Sequence, residues 1–215
     1  FSSFHEMRAI LSCIALLWLT VFTESQLIRQ CTCSEIASCK KGYVSSVKPC
    51  ADRCQKYAAS LNANYAALKR CILQREDLMK NTVQCTESSF PNACAQAPGK
   101  FVQKRRLESL EIAGVAEINR MLSASGVADQ VQDLLAQGRK FMRCTKSCLD
   151  KSANKCADKL NCGFDLPSDN VLIATSKQCA IRSGFNTRTV QDMCRCFVGA
   201  GLRQLANVCP RLQVT

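Results

Sequence analysis

The chain has 215 residues, a formal net charge of +12, 17 cysteines, one histidine and few aromatic residues. Cysteine this frequent is typical of disulfide scaffolds, and the length suits one large domain or two small ones. The single histidine, His5, precedes the predicted signal sequence, so the rest of the chain lacks histidine-dependent catalysis and the commonest zinc ligand. No phosphate-binding loop and no C-x-x-C motif occurs, and we therefore expect a protein that is not an enzyme and holds no metal or cofactor.

The first 25 residues predict an export signal. Met7-Arg8 supplies a basic start, residues 9–22 form an apolar run that is short for a membrane span, and small residues precede a cleavage position after Ser25. Residues 1–25 are therefore interpreted as upstream residues plus a signal peptide, with an uncleaved membrane anchor as the alternative. This interpretation predicts a secreted, extracellular protein without a transmembrane anchor in its mature form.

The cysteines that follow the signal predict complete pairing into disulfides. Loss of Cys13 with the signal leaves an even set, and disulfides persist in the oxidising compartments that exported proteins enter. The first group is Cys31, Cys33, Cys39, Cys50, Cys54, Cys71, Cys85 and Cys94, and the second is Cys144, Cys148, Cys156, Cys162, Cys179, Cys194, Cys196 and Cys209. Their spacing leaves the connectivity open.

Residues 26–99 form the predicted N-terminal cysteine-rich helical module. Cys50 and Cys54 are four residues apart, so a helix presents both thiols on one face, where they can fasten a neighbouring helix twice. The second cysteine group contains a pair with the same spacing. Apolar residues recur at helical intervals after Cys50 and predict a helix over about residues 50–80, whereas prolines and a glycine predict a loop over 86–100.

Residues 100–143 contain no cysteine and predict a helical hairpin. Apolar residues recur at helical spacing in two stripes, over 107–122 and 127–142, and a Ser-Ala-Ser-Gly segment interrupts the pattern between them. We expect each stripe to pack into a core. The alternative is an amphipathic pair that rests on a membrane surface.

Residues 144–215 form the predicted C-terminal cysteine-rich helical module. Ser168 predicts the start of one helix, and Thr189, with an aspartate three residues later, predicts the start of a last helix that reaches about Val208. No alternating apolar and polar run is long enough to demand a sheet. The predicted fold class is therefore mostly α, a disulfide-rich helical bundle with no substantial β-sheet.

A basic cluster ahead of the middle helix is the candidate anion-binding site. It consists of Lys100, Lys104, Arg105 and Arg106. Together with the positive net charge it predicts an acidic polysaccharide or an anionic lipid surface as partner; the alternatives are a solvated helix start or a processing site cut after Arg106. The export signal and the sparse aromatic residues argue against nucleic acid as a partner.

Two Ser-Gly dipeptides, at Ser125 and Ser183, are minimal acceptors for a glycosaminoglycan chain. Few acidic residues stand beside them, and both glycines occur where helices are expected to break, which accounts for the glycines without a sugar. The two serines are nevertheless the candidate sites of glycan attachment.

The C-terminal block carries a family resemblance. Residues 166–212 are LPSDNVLIATSKQCAIRSGFNTRTVQDMCRCFVGAGLRQLANVCPRL, and the Cys31-x-Cys33 and Pro49-Cys50-x-x-x-Cys54 motifs have the same style. This pattern resembles the cysteine-rich domain of nematode secreted proteins named after a chondroitin proteoglycan. The resemblance implies an extracellular protein of egg or matrix with no known catalysis. The founding type carries its sugar in acidic surroundings, and this chain is basic, so the domain is expected here without the sugar.

The leading functional hypothesis is a secreted, non-enzymatic extracellular protein, associated with matrix or eggshell, that binds acidic polysaccharide. One alternative is a lipid-binding or membrane-active cationic helical protein. A second is a precursor that is processed after Arg106 into separate cysteine modules, and a third is an enzyme that uses two carboxylates.

Overall fold

The computed structural model describes residues 26–152 and 156–214, and the predicted signal peptide lies outside the described residues. The described residues form nine α-helices and one two-stranded antiparallel sheet, which confirms the predicted disulfide-rich, mostly helical fold. The strands are β1 (Leu27–Arg29) and β2 (Phe101–Gln103). The helices are α1 (Cys33–Arg53), α2 (Lys56–Ala59), α3 (Tyr65–Leu73), α4 (Glu76–Ser88), α5 (Leu107–Ala124), α6 (Gln132–Ser152), α7 (Cys156–Leu160), α8 (Asp169–Arg182) and α9 (Thr187–Gly199).

Helix α1 begins at a capping box that the sequence analysis did not identify. The Thr32 hydroxyl accepts a hydrogen bond from the Glu35 backbone N–H, and the Glu35 carboxylate accepts one from the Thr32 N–H at 2.9 Å. Arg29 donates two further hydrogen bonds to the same carboxylate, at 2.9 and 3.0 Å. These bonds, those of Arg29 first, lower the pKa of Glu35 to about 2.

Eight disulfides pair all sixteen cysteines that follow the predicted signal. They are Cys31–Cys162, Cys33–Cys94, Cys39–Cys156, Cys50–Cys148, Cys54–Cys144, Cys71–Cys196, Cys85–Cys179 and Cys194–Cys209. Six of the eight join the first cysteine group to the second, so the predicted modules are fastened to one another. A cut after Arg106 would therefore leave the two parts covalently joined.

The two cysteine pairs with four-residue spacing form disulfides with each other. Cys50 bonds to Cys148 and Cys54 bonds to Cys144, which joins α1 to α6 at two consecutive turns. Because the sequence separations are 98 and 90 residues, the first of the two bonds to form closes a long loop of the unfolded chain and restricts it strongly. The second then closes only a small ring, which fixes the two helices against each other. The predicted double fastening of neighbouring helices is confirmed, and its partner is the other pair of the same kind.

The predicted continuous helix over residues 50–80 is wrong, because four separate helices share this stretch. Helix α1 ends at Arg53. Asn62 has a positive φ of 56°, a conformation that interrupts a helix and that asparagine tolerates better than most residues. Asn64 then begins α3 by accepting a hydrogen bond from the backbone N–H of Ala67 at 3.0 Å.

The last helix also differs from its prediction at both ends. Thr189 is not the cap: the Asn186 side chain caps α9 by accepting a hydrogen bond from the Thr189 N–H at 3.0 Å. The helix ends well before Val208. Gly201, with a φ of 113°, lies so close to Asn62 that an added Cβ would stand 2.7 Å from the carbonyl oxygen, so only glycine fits.

The two helices of the cysteine-free segment are both present, but they pack on different partners. Helix α5 packs against α8, and α6 packs against α1. An ion pair between Glu117 of α5 and Lys177 of α8, at 3.0 Å, joins the first of these contacts, and Lys177 lowers the pKa of the Glu117 carboxyl. The segment is therefore spread across the molecule instead of folding back on itself as a hairpin.

A compact apolar core lies where the turn between α5 and α6 meets the end of the chain. It consists of Ala63, Val127, Val131, Cys194, Leu202, Leu205, Val208 and Cys209. Leu68 of α3, Leu134 of α6 and Phe197 of α9 pack against this core. The same three side chains border an open space on their other side, and that space is the candidate site.

Candidate functional site

The site is an apolar cleft of about 950 Å³ bordered mainly by α1, α3, α4 and α6. Valine, leucine, isoleucine, methionine and phenylalanine side chains make up most of its walls. Representative residues from the four helices are Val44, Leu68, Ile72, Met79, Val83 and Phe141. A volume of this size falls in the range of small-molecule sites in proteins.

The two long walls of the cleft, α1 and α4, are each fastened to a different neighbouring helix. The double disulfide described above holds α1 to α6, and Cys85–Cys179 holds α4 to α8. The most extensive helix packing among the described residues joins α1 to α6 and α4 to α8, whereas α1 and α4 lack comparable packing. The covalent framework thus keeps α1 and α4 apart, so that apolar side chains face open space between them.

Four apolar side chains of the cleft are exposed at its mouth. Val44 is 64% exposed, Val83 52%, Val47 45% and Ile72 43%. Scattered exposed apolar residues are ordinary, but these four belong to one surface that continues into the apolar interior. A contiguous apolar surface of this kind is typical of binding sites, which makes the cleft the candidate site.

Two ion pairs cross the mouth from α1 to α4. Lys40 contacts Glu87 at 2.6 Å and Lys48 contacts Glu76 at 3.2 Å, an order that requires the two helices to run antiparallel. Lys48, through its hydrogen bonds, is the main cause of the lowered pKa of Glu76. The Lys40–Glu87 pair is about half exposed, and in the second pair Lys48 is exposed while Glu76 is half-buried. Such solvent-accessible pairs contribute little to stability, so they can exchange partners readily.

A polar cluster adjoins the wall where α1 meets α3. The Tyr65 hydroxyl donates a hydrogen bond to Asp52 at 2.8 Å, and the Lys69 ammonium group donates to both oxygens of Asp52 at 2.8 and 2.9 Å. Lys69, followed by Tyr65, lowers the pKa of Asp52, while burial is the first cause of the raised pKa of Tyr65. These polar atoms satisfy one another, so the adjoining wall offers mainly apolar contact.

The structure does not bring the predicted basic cluster together as one free site. Lys100 forms an ion pair with Asp165, and Arg105 forms one with Asp169. Lys104 and Arg106 are exposed and form no ion pair within the described part of the chain. Half of the predicted anion-binding charge is therefore neutralised internally, and polysaccharide binding at this cluster stays a prediction.

The two candidate glycan acceptors lie at helix ends. The Ser125 hydroxyl accepts a hydrogen bond from the backbone N–H of Gln213 at 3.1 Å, and Ser183 is the half-buried C-cap of α8. The glycines that follow them have φ values of 65° and 106°, which confirms that these glycines serve helix ends. Attachment of a glycan at either serine stays a prediction.

Sequence analysis missed the cleft, although a signal for one wall was present. Val44, Val47 and Ala51 are spaced as one face of a helix, but the segment before Cys50 had not been assigned to a helix. Apolar faces at helical spacing normally pack against one another. That these faces remain separated follows from the disulfide pairing, which the sequence left open.

No family model, curated protein or solved structure matches the chain. The resemblance to the nematode chondroitin-proteoglycan-type domain thus stays a prediction. Within residues 26–152 and 156–214, no helix is both long and apolar enough to cross a membrane.

Proposed function

We propose that the protein is an extracellular carrier that binds an amphiphile with a long hydrocarbon chain, such as a fatty acid or a lysophospholipid, in the apolar cleft. The observation that carries this proposal is the continuity between the exposed apolar mouth and the apolar interior. Lipid binding is one of the alternatives that the sequence left open, and the cleft favours it over binding of polysaccharide.

The size of the cleft supports useful affinity for a hydrocarbon chain. Each buried methylene contributes about 0.8 kcal/mol, so about ten of them contribute about 8 kcal/mol before the cost of immobilising the chain. A free energy of that size corresponds to a Kd of about 1 μM, and the cost of immobilising the chain weakens the affinity from that limit. The disulfides hold the walls in place before the ligand arrives, which lowers the ordering cost of binding.

The charges around the cleft favour an anionic head group. Four lysines border the cleft, Lys40, Lys48, Lys69 and Lys80, against two glutamates, Glu76 and Glu87. A ligand carboxylate or phosphate at the mouth could replace a glutamate as the partner of a lysine, because these solvent-accessible pairs exchange at little cost. The hydrocarbon chain would then extend inward, and the head group would stay in water.

An extracellular location fits the covalent structure. Eight disulfides persist in oxidising compartments and are rare in the reducing cytosol. A carrier outside the cell would need a cleft that stays open without help from a partner. The disulfides provide this stability because they restrict the unfolded chain.

The test uses a matched pair of variants at exposed isoleucines. Ile72→Asp places a carboxylate at the mouth of the cleft, whereas Ile112→Asp places one on α5, where Ile112 is 70% exposed and does not border the cleft. Binding is measured on delipidated protein by displacement of a fluorescent fatty acid with palmitate.

The wild type and Ile112→Asp are expected to bind palmitate equally. Ile72→Asp should bind it about tenfold more weakly or worse, since the new carboxylate loses hydration and repels the anionic head group. The proposal fails if the wild type displaces no probe, or if the two aspartate variants bind alike.

A further inference from the structure

Five exposed cations lie on the outer side of α6 and on the adjoining ends of α1 and α2. We call these residues the basic face: Arg53, Lys56, Lys140, Arg143 and Lys146. One of them, Lys56, holds its ammonium group 5.3 Å from the centre of the Tyr57 ring, at the border of the cleft. The Cys54–Cys144 disulfide, with a Cα–Cα distance of 5.9 Å, brings the two parts together. The Arg53 guanidinium lies 3.9 Å from the Cys148 sulfur, which places it against α6.

The basic face lacks the neutralisation found at the mouth of the cleft. None of its five cations forms an ion pair with another described residue, whereas Lys40, Lys48 and Lys69 each do. No acidic residue occurs over residues 53–64 or 139–149. Asp150 lies four residues after Lys146 on the same side of α6 and offsets part of this charge. The remaining positive field extends about 8 Å into physiological salt.

An exposed apolar side chain lies beside the cations of the basic face. Met142 is 53% exposed and lies one helical turn from both Arg139 and Lys146, so it protrudes beside the basic face. Cations with an accompanying apolar side chain suit a bilayer surface, where the charges contact anionic head groups and the apolar group enters the interface. A sulfated polysaccharide would use the cations but would gain little from the methionine.

Helix α6 connects this surface to the cleft. Gln137, Gly138 and Phe141 on its inner side border the cleft, while Arg143 and Lys146 lie on its outer side. A carrier must meet the bilayer that supplies or receives its ligand, and this argument for a bilayer rests on the proposed function.

We propose that the basic face docks the protein on an anionic phospholipid bilayer. Lys140, Arg143 and Lys146, with Arg53 and Lys56, contact the acidic head groups, and Met142 enters the interface between them. Docking places the wall formed by α6 one helix diameter from the membrane.

The experiment is co-sedimentation of the full secreted chain with vesicles at physiological ionic strength. One set of vesicles contains phosphatidylserine and phosphatidylcholine, and the other contains phosphatidylcholine alone. Arg143→Gln/Lys146→Gln removes two charges from the basic face, and the matched control Lys104→Gln/Arg106→Gln removes two equally exposed, unpaired charges from the cluster that the sequence singled out. Circular dichroism before and after heating verifies that both variants are folded.

The wild type should bind the phosphatidylserine vesicles and leave the neutral ones in solution. Arg143→Gln/Lys146→Gln should weaken the vesicle partition coefficient roughly thirtyfold, equivalent to about 1 kcal/mol for each lost cation, and the control should change it less than about threefold. Equal losses in the two variants would show that only net charge acts and would overturn the proposal. The proposal would also be overturned if the protein bound no vesicles but was retained on heparin through Arg143 and Lys146. That result would favour a polysaccharide as the partner of the basic face.

A separate variant distinguishes this failure from failure of the carrier function. Gly138→Trp is designed to fill the cleft without touching the basic face, so it should lose palmitate binding and still sediment with phosphatidylserine vesicles. Loss of sedimentation in that variant would contradict an independent docking surface.

Discussion

Replacing Gly138 by tryptophan would fill the apolar cleft from the inner side of α6. An added Cβ at Gly138 meets no atom within 4 Å, and the residue borders the cleft, so the indole can project into the open space. Replacing a glycine in a helix interior by alanine stabilises the fold by about 0.5–1 kcal/mol. Tryptophan gains only part of this because its helix propensity is lower than that of alanine, and partial burial of the indole adds to the gain. We therefore expect the melting temperature to stay the same or rise.

The same indole should exclude part of the ligand. If it displaces about four methylenes of a bound chain, the loss is about 3 kcal/mol, or roughly a hundredfold in Kd. Palmitate displacement of a fluorescent fatty acid measures the affinity. The only tryptophan of the sequence, Trp18, lies in the predicted signal peptide, so the emission of the cleaved variant reports on residue 138 alone and should be blue-shifted.

Gly42→Trp is the matched control for this experiment. Gly42 is also a helical glycine with no atom within 4 Å of an added Cβ, but it lies on α1 away from the cleft. It should retain wild-type affinity and emit as a solvated indole. The reasoning is refuted if both variants are folded and Gly138→Trp binds palmitate as tightly as Gly42→Trp.

Two further predictions concern stability. Because the pKa of Glu35 is lowered from 4.5 to about 2, its contribution is present above pH 4.5 and is lost as the pH falls toward 2; Glu35→Gln should lower the melting temperature at neutral pH and converge with the wild type near pH 2. Removing Cys85–Cys179 with serines should cost about 4 kcal/mol of unfolding free energy, against about 3 for Cys194–Cys209. With Cys71–Cys196 intact, the first bond closes a loop of about 30 residues of the unfolded chain and the second a loop of about 15. Urea titration measures both costs, and equal costs would contradict the loop-length argument.

The sequence was sufficient for the features that depend on local spacing. The four-residue spacing at Cys50 and Cys54 correctly predicted a double fastening to a neighbouring helix, and the cysteine count correctly predicted complete pairing. The predicted helix over residues 50–80 is interrupted at Asn62 and Asn64. Asparagine occurs in helices as well as in turns, because its side chain can hydrogen-bond to the nearby backbone. The prediction gave more weight to the apolar periodicity than to these two asparagines, but the folded chain forms a turn at this point.

The cleft could not be predicted, because it depends on contacts between distant parts of the chain. Val44, Leu68 and Phe141 meet at one surface only after the disulfides have fixed α1 on α6 and α4 on α8. Periodicity identifies an apolar face but does not state whether a neighbour covers it. The basic face also depends on a contact between distant parts of the chain. Arg53 and Arg143 each precede one cysteine of the Cys54–Cys144 disulfide, and these cysteines are 90 residues apart in the sequence.

The most direct measurement of the central claim is a crystal structure of the protein with a fatty acid brominated at its methyl end. The bromine gives an anomalous signal that locates the end of the chain without interpretation of weak density. We predict one strong peak inside the apolar cleft, between Leu68, Met79 and Phe141, with the carboxylate near the lysines of the mouth. A bromine peak elsewhere, or none at saturating ligand, would contradict the account.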